Sequence, residues 1–266
     1  MQKHYNDIEV CNLTHSYDIN GESVEVLREI NIDFKKNSVT SIVGPNGVGK
    51  TTLLNIIAGF IVPDTGNVRI RGVSSKEACM QKKIGFVSHD HGLLPWMNVF
   101  DNVLLSLTLN RKSNKHNVDE DDSKVLQTLE QLGLIDWRHY FPYQLSKGMC
   151  QRVSLARALV LDDVALILDE PMANLDELTR EKLRYDLLEI FSLNPRTVIL
   201  VTHNIAESVQ LSDFVIVLSN QPAEIVKSFE INFAGRDNLY KSKVRTSLEF
   251  DNITNNIRDL LHEKNS

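Results

Sequence analysis

Four short segments of the chain are almost continuously apolar. They occupy residues 39–44, 164–170, 196–203 and 213–219. Runs of this kind are typical of strands that are buried on both faces, as in a largely parallel sheet. Helical patterns follow three of them, at residues 50–60, 178–191 and 204–211. This alternation predicts a doubly wound α/β core.

The pattern changes between about residues 87 and 160, where helical segments follow one another without a comparable strand. These segments lie at residues 98–107, 122–134 and 151–161. We therefore expect a helical subdomain inserted into the core. The link at residues 110–124 is almost entirely polar and charged, so we predict a solvated and mobile loop there.

From about Gln221 the pattern loosens into a tail that ends in a short amphipathic segment at residues 252–263. The sequence contains no internal repeat. The predicted organisation is one domain at residues 1–220 and a C-terminal extension at residues 221–266. Within the first domain, the core takes up about residues 1–86 and 161–220, and the helical subdomain about residues 87–160.

Composition narrows the class of protein. Hydrophobic residues make up 42% of the 266 residues, which is ordinary for a folded soluble chain. The net charge of −6, without a long basic block, gives no reason to expect a nucleic-acid partner. The start lacks an apolar signal stretch, and the longest apolar run, residues 53–62, is too short to span a bilayer. Three widely spaced cysteines suit a reducing compartment, so we expect a cytoplasmic protein.

A glycine-rich segment follows the first apolar run. Residues 44–51 read GPNGVGKT and match G-x-x-x-x-G-K-[ST] between a predicted strand and a predicted helix. We call them the phosphate loop, because such glycines let backbone N–H groups surround a phosphate chain. Lys50 can neutralise β- and γ-phosphate oxygens, and the Thr51 hydroxyl can bind Mg²⁺. The alternative is a glycine-rich turn without a function.

Two adjacent carboxylates end another buried run, in LILDEP at residues 166–171. Burying acids is costly unless a cation or a reaction uses them. Asp169 is suited to hold Mg²⁺ through its water shell, and Glu170 to act as the general base on an attacking water. Carboxylates also simply mark the exit of a strand into solvent. Together with the phosphate loop, however, the pair favours nucleotide hydrolysis.

Three further motifs complete a series. LSKGM at residues 145–149, ANLDE at 173–177 and VTHN at 201–204 accompany the two motifs above. From about Leu13 to Leu218 the chain resembles the ATP-binding subunit of an ATP-binding-cassette (ABC) transporter. The resemblance implies a P-loop NTPase core with a mostly parallel sheet, an inserted helical subdomain and an antiparallel N-terminal β portion. It also implies ATP and Mg²⁺ as cofactors.

The resemblance assigns a role to the signature segment, residues 145–149. Ser146 and Gly148 would donate hydrogen bonds to the γ-phosphate of ATP held by a second copy, in a head-to-tail dimer. Lys147 departs from the glycine that is usual in the family, and Met149 from the usual glutamine. We expect a phosphate clamp that is altered rather than broken.

Other site residues are implied by the same resemblance. His203 would contact the γ-phosphate and sense its loss, Asp176 would organise the dimer interface, and Tyr17 would lie against adenine. For Tyr17 the alternative is an ordinary aromatic residue at a sheet edge. The residues implied to bind the phosphates in and beside the phosphate loop are Gly44, Pro45, Asn46, Gly47, Val48, Gly49, Lys50, Thr51 and Thr52.

His89 stands where the family usually has a glutamine that contacts Mg²⁺ and the attacking water. Mg²⁺ prefers oxygen ligands, which imidazole does not offer. His89 can still orient a water molecule, so we keep it as a catalytic candidate. A metal site formed by His89 and His91 is the alternative, although no third ligand is evident in the sequence.

Within the family, residues 93–103 and the methionine of the signature segment resemble bacterial importers of nitrate, sulfonate and taurine. The tail at residues 235–261 resembles the C-terminal extension of that group. The implied partners are a second copy, a transmembrane permease and, indirectly, an extracytoplasmic solute-binding protein. The implied location is the cytoplasmic face of the membrane.

Two alternatives stay open at the level of the sequence. A soluble ABC ATPase acting on nucleic acid or ribosomes is disfavoured by one cassette, no sustained heptads and a net charge of −6. A regulatory nucleotide-binding subunit with little turnover is motivated by His89 and Lys147. The transported solute cannot be read from an ATPase subunit.

Overall fold

The computed structural model describes residues 6–109, 118–161, 164–173, 175–232 and 248–263. Its main sheet has six strands in the order β10-β9-β3-β8-β7-β6. Five of these strands run parallel to their neighbours, as predicted, and β10 joins β9 antiparallel at the edge. The strands are β3 Val39–Val43, β6 Ile84–Val87, β7 Ala165–Asp169, β8 Thr197–Val201, β9 Phe214–Leu218 and β10 Ile225–Glu230.

Both faces of this sheet are buried, which explains the continuous apolar runs. Along β7, Leu166 and Leu168 enter one hydrophobic cluster, and Ala165 and Ile167 enter the other. Helices follow β3, β7 and β8 as predicted, and they are α1 Lys50–Ile57, α6 Glu177–Leu193 and α7 Ile205–Leu211.

The predicted antiparallel N-terminal β portion is confirmed as a four-stranded sheet in the order β2-β1-β4-β5. Its strands are β1 Asn6–Ile19, β2 Glu22–Lys35, β4 Thr65–Ile70 and β5 Val73–Ser74, followed by the short helix α2 Ser75–Met80. Ile8, Leu13 and Phe34 bury their side chains in a hydrophobic cluster that also contains Leu53 and Ile57 of α1.

Three α-helices occupy the described part of the region between β6 and β7, in agreement with the prediction. They are α3 Val99–Leu109, α4 Val118–Gln131 and α5 Lys147–Leu159. The predicted loop at residues 110–124 was partly wrong, because α4 begins at Val118; residues 110–117 lie outside the described residues. Three acidic residues lie in the first turn of α4, where their negative charges interact favourably with the helix dipole. Val125 and Leu129 are buried on the inner face of this helix.

The tail contributes an edge strand to the main sheet. Sequence analysis missed β10, because its six residues are only half-buried or exposed and do not alternate strictly. The amphipathic segment is confirmed as α8 Leu248–Glu263, four residues longer at its start than predicted, and Phe250 and Ile257 pack it against α7 and β9. Residues 235–247 of the family-like tail lie outside the described residues. In the described ranges, no helix is both long and apolar enough to cross a membrane.

Candidate functional site

The phosphate loop connects β3 to α1, and two of its positions require glycine. Gly47 and Gly49 have φ angles of 78° and 111°, in the region that favours glycine. A Cβ on Gly49 would lie 2.5 Å from Cγ1 of Val26 in β2. The loop therefore keeps a backbone shape that a side chain at Gly49 would disrupt. It leads directly into the N-terminus of α1.

Lys50 is buried at the start of α1, with its ammonium inside the phosphate loop. Its Nζ donates hydrogen bonds to the carbonyl oxygens of Gly44, at 2.9 Å, and Pro45, at 2.8 Å. Burial lowers the pKa of Lys50, whereas the negative charges of Glu170 and Asp169 oppose this shift. The ammonium lies where a bound phosphate would need a cation.

Thr51 and Asp169 lie at one point of the cleft, although they belong to different elements. The Thr51 hydroxyl donates a 2.9 Å hydrogen bond to Oδ2 of Asp169, the last residue of β7. Burial raises the pKa of Asp169, and the hydrogen bond from Thr51 acts against this shift. A hydroxyl oxygen and a carboxylate oxygen are ligands that suit Mg²⁺, so this donor set fits the ion.

Glu170 has a backbone conformation that is uncommon for a side-chain-bearing residue, with a φ of 49°. Its N–H donates to the carbonyl of Val201, at the end of β8. Oε2 of Glu170 lies 3.4 Å from Nδ1 of His203, two residues after that strand. The ends of β7 and β8 thus bring the candidate base and the candidate switch histidine together.

These elements enclose a cleft of about 220 Å³. It is lined by Asn46, Gly47, Gly49, Lys50, Thr51, Thr52 and Glu170. Tyr17 stands beside it, with its hydroxyl 3.3 Å from Oγ1 of Thr52. Tyr17 is 37% exposed, which leaves its ring accessible for stacking on a base.

The signature segment lies elsewhere, at the start of α5, and contributes no residue to the lining of this cleft. Ser146 caps α5, its Oγ accepting a hydrogen bond from the N–H of Met149 at 3.2 Å. Lys147 is exposed, so the substituted side chain has room in solvent. Gly148 is buried, and a Cβ there would lie 2.7 Å from Cγ2 of Thr179 in α6. Packing of α5 on α6 therefore requires glycine at this position.

Asp176 and His89 also lie outside the cleft lining. Asp176 caps α6, its Oδ1 accepting from the N–H of Thr179 at 3.0 Å, and hydrogen bonding to Thr179 lowers its pKa. His89 is exposed just after β6, and its Nδ1 lies 3.6 Å from Asp90. Across the described ranges, no cluster of three or more His, Cys, Asp or Glu side chains could hold a metal ion, and the pair His89 and His91 gains no third ligand.

His15 was missed by sequence analysis. Its ring meets the edge of the Tyr17 ring, with 4.9 Å between the ring centres, and its Nδ1 lies 3.4 Å from Asp64. Alternate residues of a strand share a face, so the spacing of His15 and Tyr17 was the available signal. His15 supports the ring that stands beside the cleft.

Comparisons with known proteins agree on one family. A family model described as ABC transporter matches residues 27–173. An uncharacterised ABC transporter ATP-binding protein of Methanocaldococcus jannaschii is 35% identical over 257 residues, covering 97% of this chain and 92% of that protein. A taurine import ATP-binding protein of Roseobacter denitrificans is 35% identical over 85% of this chain and 83% of its own length.

A solved structure has a similar fold. It is the dimeric post-hydrolysis state of the ATP-binding cassette MJ0796 bound to ADP and Pi, with a TM-score of 0.76. The two sequences are 28% identical, and the match covers 85% of this chain and 100% of that one.

Proposed function

The chain belongs to the ABC transporter family of ATP-binding proteins and is an ATPase, and from this premise we propose that it drives a solute importer. The family match and the taurine import relatives confirm the resemblance that the motifs indicated. The observation that carries the proposal is the cleft itself. Lys50, Thr51 and Glu170 line one cavity, and Asp169 lies 2.9 Å from Thr51.

ATP binding and hydrolysis follow from these positions. The phosphate loop and Lys50 hold the β- and γ-phosphates of ATP, and the Tyr17 ring lies against adenine. Thr51 and Asp169 would hold Mg²⁺, which would neutralise negative charge on the phosphates. Glu170 takes the proton of the attacking water. His203, which lies 3.4 Å from Glu170, contacts the γ-phosphate.

The complete site needs a second copy of the chain. Ser146, Gly148 and Asp176 contribute nothing to the cleft of their own chain. In a head-to-tail dimer, the signature segment of one copy closes over the ATP of the other. The dimeric state of the solved cassette supports this arrangement. His89 orients the attacking water in place of the usual glutamine.

The dimer acts at the cytoplasmic face of the membrane, where its closure moves a transmembrane permease between two states. An extracytoplasmic solute-binding protein delivers the solute, which belongs to the nitrate, sulfonate and taurine class. The names of the taurine import relatives support this class. Residues 1–220 form the ATPase domain, and residues 221–266 form an extension of it.

Co-purification tests the transport role. A tagged Glu170→Gln variant, which binds ATP without turnover, is extracted from membranes in mild detergent with Mg·ATP. We expect a polytopic membrane protein in stoichiometric amount, and much less of it with Lys50→Met, which weakens ATP binding. Recovery with only soluble partners or with nucleic acid would overturn the importer proposal.

A further inference from the structure

A buried carboxylate lies between the turn that carries His203 and the turn that carries Asp176. Glu207, in α7, has a side chain that is only 4% exposed. Its Oε2 accepts a 2.9 Å hydrogen bond from the Thr202 hydroxyl. Its Oε1 lies 3.8 Å from Nε of Arg180, in the first turn of α6. Glu207 therefore joins the segment between β8 and α7, through its hydrogen bond with Thr202, to α6, through its ion pair with Arg180.

On one side, Glu207 fixes the two neighbours of His203. The Thr202 hydroxyl donates to Glu207 and accepts a hydrogen bond from the N–H of Asn204 at 3.1 Å. The side chain of Asn204 in turn accepts from the N–H of Glu207 at 3.2 Å. The backbone on both sides of His203 is thus tied into a closed ring of hydrogen bonds.

On the other side, Arg180 fixes the residue before Asp176. Its Nη2 donates a 2.7 Å hydrogen bond to the carbonyl of Leu175, and its Nη1 donates to Glu177 at 2.9 Å. Asp176 lies between these two partners. The Arg180 guanidinium therefore connects Glu207 to the backbone of the Asp176 turn.

Burying the charged carboxylate of Glu207 lowers the stability of the folded protein. Burial raises the pKa of Glu207, and the Thr202 hydrogen bond and the charges of Arg180 and Arg184 act against the shift. A buried ion pair commonly adds little net stability compared with apolar residues of similar size. In some proteins, a buried ion pair of this kind holds the chain in one specific conformation.

We propose that Glu207 and Arg180 are a positioning pair that holds the His203 turn and the Asp176 turn in one fixed relation. Neither side chain lines the cleft. They act through two other residues. His203 lies beside Glu170 at the cleft of the same chain, and Asp176 lies at the proposed interface with the second copy. The inference rests on the proposed function, because it assigns geometry to that same reaction.

The first test is Glu207→Gln. Glutamine keeps the size of the side chain and an oxygen that accepts from Thr202, but it presents no charge to Arg180. We expect kcat for ATP hydrolysis to fall roughly tenfold to a hundredfold, because small misplacements of reacting groups have such effects. The KM for ATP should stay within about twofold of the wild-type value, since uniform binding is unaffected.

The protein offers a matched control at the other end of β8. Asp7 is also a buried carboxylate, accepting from the Thr197 hydroxyl at 2.6 Å and pairing with Arg71 at 2.8 Å. Thr197 begins β8, whereas Thr202 follows its end. Asp7→Asn should lower the melting temperature without lowering kcat. If Asp7→Asn and Glu207→Gln lower kcat equally, the pair is merely structural and the inference is wrong.

A double variant tests whether the two residues act as one unit. Arg180→Gln alone should reproduce the fall in kcat, and it provides the test if Glu207→Gln does not fold. The double variant should lose no more activity than either single variant, because each change removes the same ion pair between Glu207 and Arg180. Independent, multiplicative losses would overturn the inference. Failure of the proposed transport role looks different, because it would appear as a co-purification without a membrane protein and would leave this comparison of kcat values unaffected.

Discussion

Thr51 and Asp169 are 118 positions apart in the chain, yet the hydroxyl of one donates a 2.9 Å hydrogen bond to the carboxylate of the other. This contact joins the start of α1 to the end of β7. It brings together two oxygens of the kind that Mg²⁺ prefers, beside the buried ammonium of Lys50. The carboxylate of Asp169 is also buried there. Its effect on Mg·ATP affinity and its effect on the stability of the protein can both be measured.

Asp169→Asn should weaken ATP binding only when Mg²⁺ is present. Asparagine keeps a partner for the Thr51 hydroxyl but lacks the charge that would hold the ion. We expect the affinity for Mg·ATP to fall about tenfold or more, as for the loss of one charged contact. Titration with a fluorescent ATP analogue, with Mg²⁺ and then with EDTA, measures this effect. An equal loss under both conditions would contradict a role in holding the ion.

The same substitution should stabilise the protein without nucleotide. Because burial raises the pKa of Asp169, the folded protein holds this proton more tightly than the unfolded chain. The free energy of unfolding therefore falls as pH rises from the usual aspartate pKa through the raised value, and it stays lowered above that value.

At neutral pH, Asp169→Asn removes the destabilisation caused by the buried, ionised carboxylate. We therefore expect the melting temperature of the variant to be higher by about 2 °C or more. The advantage should disappear when the pH falls below the usual aspartate pKa. Thermal unfolding at both pH values measures the difference. A variant that melts lower than wild type at neutral pH would contradict this account.

Gly148→Ala should disturb the contact between α5 and α6. The new Cβ would meet Cγ2 of Thr179 at 2.7 Å, and overpacking of this kind costs about 1–3 kcal/mol. We expect a lower melting temperature and lower ATPase activity, because the signature segment and the Asp176 turn both lie at this contact.

Thr179→Ser removes the methyl group that the new Cβ would meet. The double variant Gly148→Ala with Thr179→Ser should therefore recover most of the stability and activity, while Thr179→Ser alone should resemble wild type. If the double variant is no better than Gly148→Ala, the loss has another cause than this contact.

ATPase activity per chain should rise with protein concentration. In the proposed dimer, the cleft of one copy is completed by Ser146 and Gly148 of the other, so a monomer lacks part of the site. Steady-state turnover measured over a wide range of dilutions, with saturating Mg·ATP, tests this. An unchanged rate per chain in solutions shown by light scattering to be monomeric would exclude a shared site.

The core of the fold was predictable because its strands are buried on both faces. Nearly every residue of β3, β7, β8 and β9 is buried and most are apolar, so each strand stands out in the sequence as an apolar run. The edge strand β10 carries no such signal, because half of its residues are exposed. The start of α4 was missed because its first turn is acidic, and polarity alone does not distinguish a solvated helix turn from a loop.

The residues of the candidate site could be proposed from the sequence, whereas most contacts between them could not. Motif spacing indicated Lys50, Asp169 and Glu170, whose chemistry depends on residue type. The φ angle of 49° at Glu170 and the support of Tyr17 by His15 depend on how separate elements pack. Neither is encoded in the spacing of a motif. The link from Glu207 to Arg180 likewise joins two helices whose contact only the fold reveals.

Glu170→Gln tests the central claim, that this cleft hydrolyses ATP with Glu170 as the base. Glutamine has the same shape but cannot take a proton from water, so we expect turnover to fall about a hundredfold or more. Affinity for Mg·ATP and the melting temperature should remain close to wild type. Steady-state ATPase assays, together with nucleotide titration on the same preparation, give the answer. Turnover equal to wild type would show that Glu170 is not the base and would contradict the mechanism.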